Sequence, residues 1–308
     1  MKAVFFMKTG GPEVLQYGDV PDPVAKAGEV LVDVHAASVN AADWKVRSGS
    51  YGNPVATFPY VLGRDFSGVV ARLGDGVTDL KVGDAVFGVV QQADDGCYAE
   101  KLAIKASIVA RKPADLSHVE TAALALTGLT ALVSLEDTLK LKRGETILIQ
   151  GGAGGVASFA IQLARHIGAK VITTCSAANV DYVRKLGADQ VIDYSAWDFT
   201  KVVSGVDAVF ETVGGDVVMR SFSVLRPGGR AAFIGSGASA PASPRSDVES
   251  LRPKVGRDRA HLERVVSLVA SGAVKLPEIR TYRLSEAVAA HKMSEGRHFR
   301  GKLVFQVC

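Results

Sequence analysis

The sequence predicts an α/β protein with two domains, an irregular β-barrel followed by a doubly wound parallel sheet. The chain has 308 residues, a length that suits two domains of roughly 100–200 residues each. Its first third is rich in glycine and β-branched residues, whereas short apolar strands alternate with helical segments after Pro113. Because such alternation implies right-handed crossovers, the second domain is expected to hold a parallel sheet.

The first domain is predicted from short strands joined by turns. Residues 30–34 and 68–73 have the β-branched pattern of strands, and turn signals stand at 10–12 and 83–84. The closing segment, 302–307, has the pattern of another strand and is expected to rejoin this domain. We therefore expect the first domain at 1–120, rejoined by 277–308.

The second domain, at 121–276, is predicted from alternating apolar strands and helices, and a helix at 116–135 leads into it. The expected order afterwards is strand 146–150, helix 156–167, strand 170–174, helix 180–186, strands 190–193, 208–210 and 230–234, and helix 261–270. The segment 238–254 is rich in Ala, Ser, Pro and Arg, a composition that predicts a surface loop.

Composition excludes several classes of protein. The chain has 36 basic and 32 acidic residues without a block of like charges, which disfavours a nucleic-acid patch. Its cysteines, Cys97, Cys175 and Cys308, lie far apart, so neither a disulfide framework nor a cysteine-built zinc cluster is expected. The longest uncharged stretch, 121–135, is shorter than the roughly 20 apolar residues of a membrane helix. We expect a cytoplasmic protein that binds neither membrane nor nucleic acid.

A glycine-rich turn, GGAGGVA at 151–157, lies between a predicted strand and a predicted helix. A turn without Cβ atoms lets backbone N–H groups approach a pyrophosphate, and the helix points the positive end of its dipole at the phosphates. The dinucleotide-binding fingerprint tolerates alanine in its last position, here Ala157. The candidate phosphate-binding residues are Gly152, Ala153, Gly154, Gly155 and Val156. A glycine-rich loop without a ligand is the alternative.

The residues that follow the next strand indicate which nicotinamide cofactor is preferred. Folds that select NAD hold the ribose 2′-hydroxyl with an Asp or Glu about 20 residues beyond the glycines. Here the strand runs into Ser176 and Asn179, with no acid before Asp181. Hydroxyl and amide groups, with Arg184 and Lys185 nearby, favour a 2′-phosphate and hence NADPH. The alternative is that Asp181 turns inward to hold the ribose of NADH.

Motifs over nearly the whole chain resemble those of the zinc-independent medium-chain dehydrogenase/reductases of the quinone oxidoreductase type. They are SVNAADWK at 38–45, PYVLGRDFSG at 59–68, VGDAVFG at 82–88, TGLTA at 127–131, LGAD at 186–189, VIDY at 191–194, LRPGGR at 225–230 and GKLV at 301–304. The resemblance implies a GroES-like catalytic barrel, a Rossmann cofactor domain and an active cleft between them. It also implies a homodimer that forms by pairing the edges of the Rossmann sheets.

The resemblance also bears on zinc. Zinc-dependent relatives have Cys where this chain has Asn40, and a His–Glu pair where it has Arg64 and Asp65. Because an amide is a poor zinc ligand and a guanidinium cannot coordinate, no catalytic metal is expected. Without this Lewis acid, the acceptor must be one that needs little activation. Quinones and conjugated enones or alkenals meet that condition.

By the same resemblance, Asn40, Asp43 and Tyr51 form the candidate catalytic set near the nicotinamide and the substrate. Asn40 is expected to orient cofactor or substrate, and for Asp43 a structural hydrogen bond to neighbouring backbone is favoured. Two roles are open for Tyr51: its phenol bonds or protonates the acceptor, or it only packs at the rim. For Arg64, an ion pair with a carboxylate such as Asp65 is favoured over stabilisation of an oxyanion.

The remaining candidate cofactor-binding residues follow from family positions. Thr127 matches a threonine near the nicotinamide carboxamide, and Ser176 and Tyr194 match positions that hold the adenosine 2′-phosphate and ribose. In the strand ending at 211–215, Val213 is a candidate contact, while Glu211 stands where the family usually has Asp. The full set comprises Thr127, Gly152, Ala153, Gly154, Gly155, Val156, Ser176, Asn179, Tyr194, Val213, Phe233, Ile234, Gly235 and Ser236.

The sequence thus predicts a zinc-independent, NADPH-dependent oxidoreductase that transfers hydride to a quinone-type acceptor. One alternative is reduction of the double bond of an enone or alkenal, and another is a cofactor-binding protein with little turnover. The cleft-lining loops at 51–58, 91–97 and 238–254 are expected to set substrate specificity.

Overall fold

The structure is a computed structural model that describes residues 1–51, 55, 57–91, 94–237, 239–297 and 299–307. The chain divides into two compact units. The first unit comprises Met1–Leu126, Arg257–Ser267 and Glu278–Cys308, and the second comprises Thr127–Gly256 and Leu268–Pro277. The bounds expected from sequence, 1–120 with 277–308 and 121–276, differ chiefly in the segments 121–126 and 257–267, which both belong to the first unit.

Contacts within the first unit account for these two differences. Ala122 packs in one buried cluster with Ala36 and Val304. Arg259 donates a hydrogen bond to the backbone oxygen of Val109 over 2.7 Å. Since neither contact is visible in local sequence patterns, the domain limits could not be placed there from the sequence.

The secondary structure contains both strands and helices throughout the described residues. The strands are β1 Lys2–Phe6, β2 Gln16–Asp19, β3 Glu29–Val39, β4 Tyr60–Val61, β5 Asp65–Leu73, β6 Ala85–Val89, β7 Lys101–Lys105, β8 Val109–Arg111, β9 Thr146–Ile149, β10 Lys170–Cys175, β11 Gln190–Asp193, β12 Val206–Glu211, β13 Leu225–Phe233, β14 Glu249–Leu251, β15 Ile279–Arg283 and β16 Lys302–Gln306. The α-helices are α1 Ala41–Ser48, α2 His118–Leu132, α3 Gly155–Ile167, α4 Val180–Lys185, α5 Phe199–Val202, α6 Val217–Arg220, α7 Arg259–Ala270 and α8 Ala287–Gly296.

The long strand β3 organises the first unit. It pairs antiparallel with β5, β7 and β16. Six strands of this seven-stranded sheet follow the order β15-β16-β3-β5-β6-β8, and the seventh, β7, pairs with β3 outside that order. The residues of β3 alternate between buried and half-buried before the last four become fully buried, as expected where one face of a sheet covers a core. The closing strand β16 pairs with β3, and Leu303 lies opposite Val39.

The second unit is a parallel sheet of order β11-β10-β9-β12-β13-β14. The strand order reverses between β9 and β12, which defines the switch point of a doubly wound Rossmann sheet. Apolar residues such as Leu148, Val209, Phe222 and Phe233 form its core. The predicted strands and helices fall on β9, α3, β10, α4 and β11 to within a residue or two of the expected ends.

Two predictions for individual elements need correction. The segment 238–254, expected to be a loop, contains β14, which pairs parallel with β13; Val248, just before it, is buried in the core. A strand of three residues is too short to show a periodic pattern in the sequence. It is recognised only in the structure, by its pairing with β13. The helix expected at 116–135 starts at His118 as α2 and continues as a π-helix over Val133–Thr138.

The helical segment His118–Thr138 is long and apolar enough to cross a membrane by length and composition. However, 78% of its most apolar window is buried inside the protein. Burial of this kind is typical of the core helix of a folded domain.

Candidate active site

In the second unit, the glycine turn connects β9 to α3 at the switch point of the sheet. Gly154 is the N-cap of α3 and provides no side-chain cap, so the first N–H groups of this helix are available to an anion. The turn is held by backbone bonds: Gly152 N donates to Thr174 O over 2.8 Å, and Gly154 N to Gly151 O over 2.9 Å. The geometry is that of a phosphate cradle.

Gly152 and Gly154 differ in what a Cβ atom would meet. At Gly152 it would lie 2.3 Å from Thr173 Oγ1, so packing against β10 requires glycine there. At Gly154 the one described atom that it would meet within 4 Å is Gly151 O, at 3.4 Å, and the backbone has an ordinary φ of −74°. None of the described residues therefore requires glycine at 154, whereas close approach of a ligand would.

At the end of β10, the candidates for the adenosine half lie together. Asn179 Nδ2 donates to Ser176 Oγ over 2.9 Å. Tyr194 N donates to the oxygen of Cys175 over 3.1 Å, and the Tyr194 side chain is 58% exposed. Asp181 lies 3.7 Å from Arg184, and both side chains are exposed. The strand end thus presents a hydroxyl, an amide and an exposed aromatic ring.

The ends of β12 and β13 are joined by Glu211. One oxygen of this buried carboxylate accepts from the N–H groups of Val213 and Gly214, each over 2.6 Å. Ile234 N donates to the Glu211 backbone oxygen over 3.0 Å, and a Cβ at Gly235 would lie 2.5 Å from Gly214 N. Glu211 therefore shapes both loops that carry candidate contacts, a role that the sequence did not reveal.

The other cofactor candidates of this unit are placed as follows. The Phe233 side chain is buried in the core, and its oxygen accepts from Arg252 Nη1 over 2.6 Å. Ser236 Oγ donates to Ser239 O over 3.0 Å. Thr127 is buried within α2. Contacts of these residues with a cofactor remain predictions.

In the first unit, Asn40 lies at the centre of a polar cluster where β3 passes into α1. Its Nδ2 donates to Asp65 Oδ2 over 3.1 Å and to Ser38 O over 3.3 Å. Its Oδ1 accepts from Lys302 Nζ over 2.7 Å. We call Ser38, Asn40, Asp65 and Lys302 the Asn40 cluster.

In the sequence, Lys302 is notable only as part of the GKLV motif at 301–304, and this motif did not predict its position in the Asn40 cluster. Nζ also donates to Val39 O over 3.0 Å and lies 3.7 Å from Asp65 Oδ2. Burial raises the pKa of Asp65 and lowers that of Lys302, while each charge opposes the shift of the other. Lys302 is thus a buried ion-pair partner of Asp65, a role for which the sequence favoured Arg64.

Asp43 and Tyr51 differ in how the structure holds them. Asp43 Oδ2 accepts from Asn40 N and from the Tyr98 hydroxyl, each over 2.7 Å, and burial raises the Asp43 pKa to about 6. The bond to neighbouring backbone is the structural one favoured from sequence. Tyr51 packs partly buried against the core of the first unit. Of the loop beside it, residues 52–54 and 56 lie outside the described residues.

The side chains of the Asn40 cluster and of neighbouring Arg64 do not fit a zinc ion. Asn40 is bonded through both ends of its amide, and Arg64 Nη1 donates to Gln91 O over 2.6 Å. A guanidinium and an ammonium repel a metal cation and cannot ligate it. In the described part of the chain, no three His, Cys, Asp or Glu side chains are grouped to hold a metal.

Fold and site together define the class of the protein, the medium-chain dehydrogenases/reductases. Two family models match the chain: the alcohol dehydrogenase GroES-like domain over residues 26–114 and the zinc-binding dehydrogenase domain over residues 186–305. The second match contains neither Asn40 nor Arg64 nor Asp65, so its name says nothing about a metal at these positions.

Individual relatives narrow this class. The chain is 33% identical to 2-haloacrylate reductase of Burkholderia sp over 98% of both chains. Among solved structures it is similar to the quinone oxidoreductase of Coxiella burnetii, with a TM-score of 0.93, 37% identity, and coverage of 100% of this chain and 99% of the other. Similarity to Escherichia coli quinone oxidoreductase complexed with NADPH gives a TM-score of 0.91 and 31% identity over the whole of both chains. The chain belongs to the zinc-independent, quinone oxidoreductase-like branch of the medium-chain dehydrogenase/reductase family.

Proposed function

We propose that this protein is an NADPH-dependent reductase that transfers hydride to a quinone-type acceptor. The observation that carries the proposal is the glycine turn at the start of α3, where none of the residues that the structure describes requires glycine at 154. It is supported by the similarity to a quinone oxidoreductase whose structure contains NADPH. In this proposal, residues 152–156 bind the pyrophosphate.

The end of β10 supports NADPH over NADH. The Ser176 hydroxyl and the Asn179 amide are suited to donate hydrogen bonds to a 2′-phosphate, and the exposed Tyr194 is assigned to the same 2′-phosphate and ribose. Asp181, which comes five residues after Ser176, is exposed and lies 3.7 Å from Arg184; the absence of an acid between β10 and Asp181 in the sequence favours NADPH. On the nicotinamide side we assign Thr127, Val213 and residues 233–236.

NADPH supplies the hydride when it is bound; the chain's own residues orient the reactants. The side chains at Asn40, Arg64 and Lys302 do not fit a metal that could act as a Lewis acid, so we propose an acceptor that itself delocalises the incoming charge. Quinones and conjugated carbonyl compounds do so. Asn40 is assigned to orientation, and the Tyr51 phenol to a hydrogen bond with the acceptor oxygen. Asp43 is assigned to holding the start of α1 through its bonds to Asn40 and Tyr98.

A second candidate function is reduction of a conjugated double bond, which the similarity to a 2-haloacrylate reductase favours. Loss of NADPH absorbance distinguishes the two when benzoquinone, phenanthrenequinone and an alkenal are offered in parallel. We expect turnover with the quinones, preference for NADPH over NADH, and no effect of a chelator. Turnover with the alkenal alone would support the second function, NADPH binding without reduction of any acceptor would identify a binding protein, and loss of activity with the chelator would refute zinc independence.

We further propose that the protein is a cytoplasmic homodimer with a small-molecule substrate and no nucleic-acid or membrane partner. The strand β14 lies at an edge of the six-stranded sheet, where it offers unpaired backbone groups to a second copy. Sedimentation equilibrium should give twice the mass of 32.3 kDa. A monomer at micromolar concentration would contradict this part of the proposal.

A further inference from the structure

Lys302 is a buried cation to which the proposed function assigns no role. Its side chain is 3% exposed, and its ammonium bonds to Val39 O and Asn40 Oδ1 and lies near Asp65 Oδ2. The strand pairing accounts for this position, because Leu303 lies opposite Val39 and Lys302 therefore falls beside the end of β3.

The ammonium and the carboxylate together select one orientation of the Asn40 amide. Oδ1 faces the cation at 2.7 Å, and Nδ2 faces the Asp65 carboxylate at 3.1 Å. A flipped amide would place its N–H groups against the ammonium and its oxygen against the carboxylate, and both contacts would be repulsive. Without the cation, only Asp65 and Ser38 would restrain the amide.

Asn40 and Asp65 stand at positions where zinc-dependent relatives have Cys and Glu. Here the positive charge of Lys302, a side chain of the protein itself, binds both of them. We propose that Lys302 is a positioning residue: its ammonium is the fixed positive charge of the Asn40 cluster and holds the Asn40 amide in one orientation for hydride transfer. The consequence for turnover rests on the proposed function, whereas the orientation of the amide does not.

The orientation is tested by NMR of the Asn40 side-chain amide, assigned through its disappearance in Asn40→Ala. We expect Lys302→Met to shift this resonance and to accelerate exchange of its protons with water, and Lys302→Arg to restore most of the wild-type signal. Lys112→Met is the matched control, since Lys112 Nζ also bonds a backbone oxygen, that of Pro113 over 2.7 Å. An Asn40 resonance unchanged in Lys302→Met would overturn the proposal.

Lys302→Met alone leaves the buried Asp65 without this ion partner, which lowers the stability of the folded state. The double variant Asp65→Asn, Lys302→Met removes both charges together and keeps a hydrogen-bonding group at 65. Because Asn40 also donates to Asp65, the reference for this double variant is Asp65→Asn alone, and the Asn40 signal should differ between the two. If the double variant is folded and its Asn40 resonance is that of Asp65→Asn, Lys302 does not hold the amide.

Kinetics test the consequence. We expect Lys302→Met to lower kcat about 10-fold or more, with the Kd of NADPH within about 3-fold of wild type, since misplacement of an orienting group mainly affects the chemical step. The loss should be non-additive with Asn40→Ala, so that the double variant Asn40→Ala, Lys302→Met resembles Asn40→Ala. Additive losses would show that Lys302 does not act through Asn40. A wild type without turnover on any acceptor would refute the proposed function, and the NMR comparison would still decide on Lys302.

Discussion

Substitution of two neighbouring glycines by alanine should separate folding from cofactor binding. At Gly152 the new Cβ would lie 2.3 Å from Thr173 Oγ1 and 3.1 Å from Ile161 Cδ1. Thr173 is buried and its hydroxyl donates to Ile149 O over 2.7 Å, so it cannot turn away without losing that bond. Overpacking of this kind costs about 1–3 kcal/mol of unfolding free energy.

Gly154→Ala should leave stability within about 1 kcal/mol of wild type. Its φ of −74° and ψ of 156° suit alanine, and the smaller entropy of the unfolded chain offsets the poorer N-cap. The methyl group would instead obstruct a pyrophosphate. We expect the Kd of NADPH to rise at least about 10-fold, equivalent to roughly 1.4 kcal/mol.

Urea denaturation of the free protein and fluorescence titration with NADPH measure the two effects. Gly296→Ala is the control, because a Cβ there meets none of the described atoms within 4 Å and Gly296 ends α8 in the first unit. It should change neither quantity appreciably. If Gly154→Ala binds NADPH like the wild type, the turn does not bind the pyrophosphate. If Gly152→Ala is as stable as wild type, the packing argument is wrong.

Three further predictions concern single side chains. Burial and the nearby Arg47 lower the His291 pKa from 6.5 to about 3, so the unfolded state takes up a proton first and stability falls as the pH drops below 6.5. Relative to His291→Gln, wild type should lose about 2 kcal/mol of unfolding free energy between pH 7 and pH 5 in urea denaturation. The same dependence of unfolding free energy on pH in both proteins would contradict this. Glu211→Ala leaves the Val213 and Gly214 N–H groups without their carboxylate acceptor. It should lower the unfolding free energy by about 2–3 kcal/mol in the same assay, and Glu211→Gln should lower it less. Equal stability of Glu211→Ala and wild type would refute this prediction. Ser176→Asp should shift the ratio of NADPH to NADH Kd values by about 10-fold or more towards NADH, and an unchanged ratio would place the 2′-phosphate elsewhere.

The second unit was largely predictable because its signals are local. Apolar strands that end in glycines, followed by helical periodicity, located β9, α3 and β10 almost to the residue. β14 was missed because it is a three-residue strand that is defined only by its pairing with β13. Similarly, the sequence showed a Glu at 211 but not that its side chain folds back onto the amides of Val213 and Gly214.

The first unit was less predictable because its site depends on residues distant in the sequence. Asn40 and Lys302 are 262 residues apart and meet only because β16 pairs with β3. The resemblance indicated that Asn40, Arg64 and Asp65 occupy the metal-ligand positions of zinc-dependent relatives, and Asn and Arg do not suit zinc. It gave no sign of which positive charge would balance Asp65 once the metal is gone.

This buried ion pair is difficult to explain as a stabilising feature. Removing two charges from water costs several kcal/mol per ion before their attraction compensates, and apolar replacements are often as stable. The Arg230–Glu145 pair of the second unit avoids most of this penalty, because both side chains keep some solvent exposure while bonded at 2.7 Å. Lys302 and Asp65 do not, since both are buried. What they provide in addition is a unique orientation of one half-buried amide, which is a requirement of a reaction site and not of a protein core.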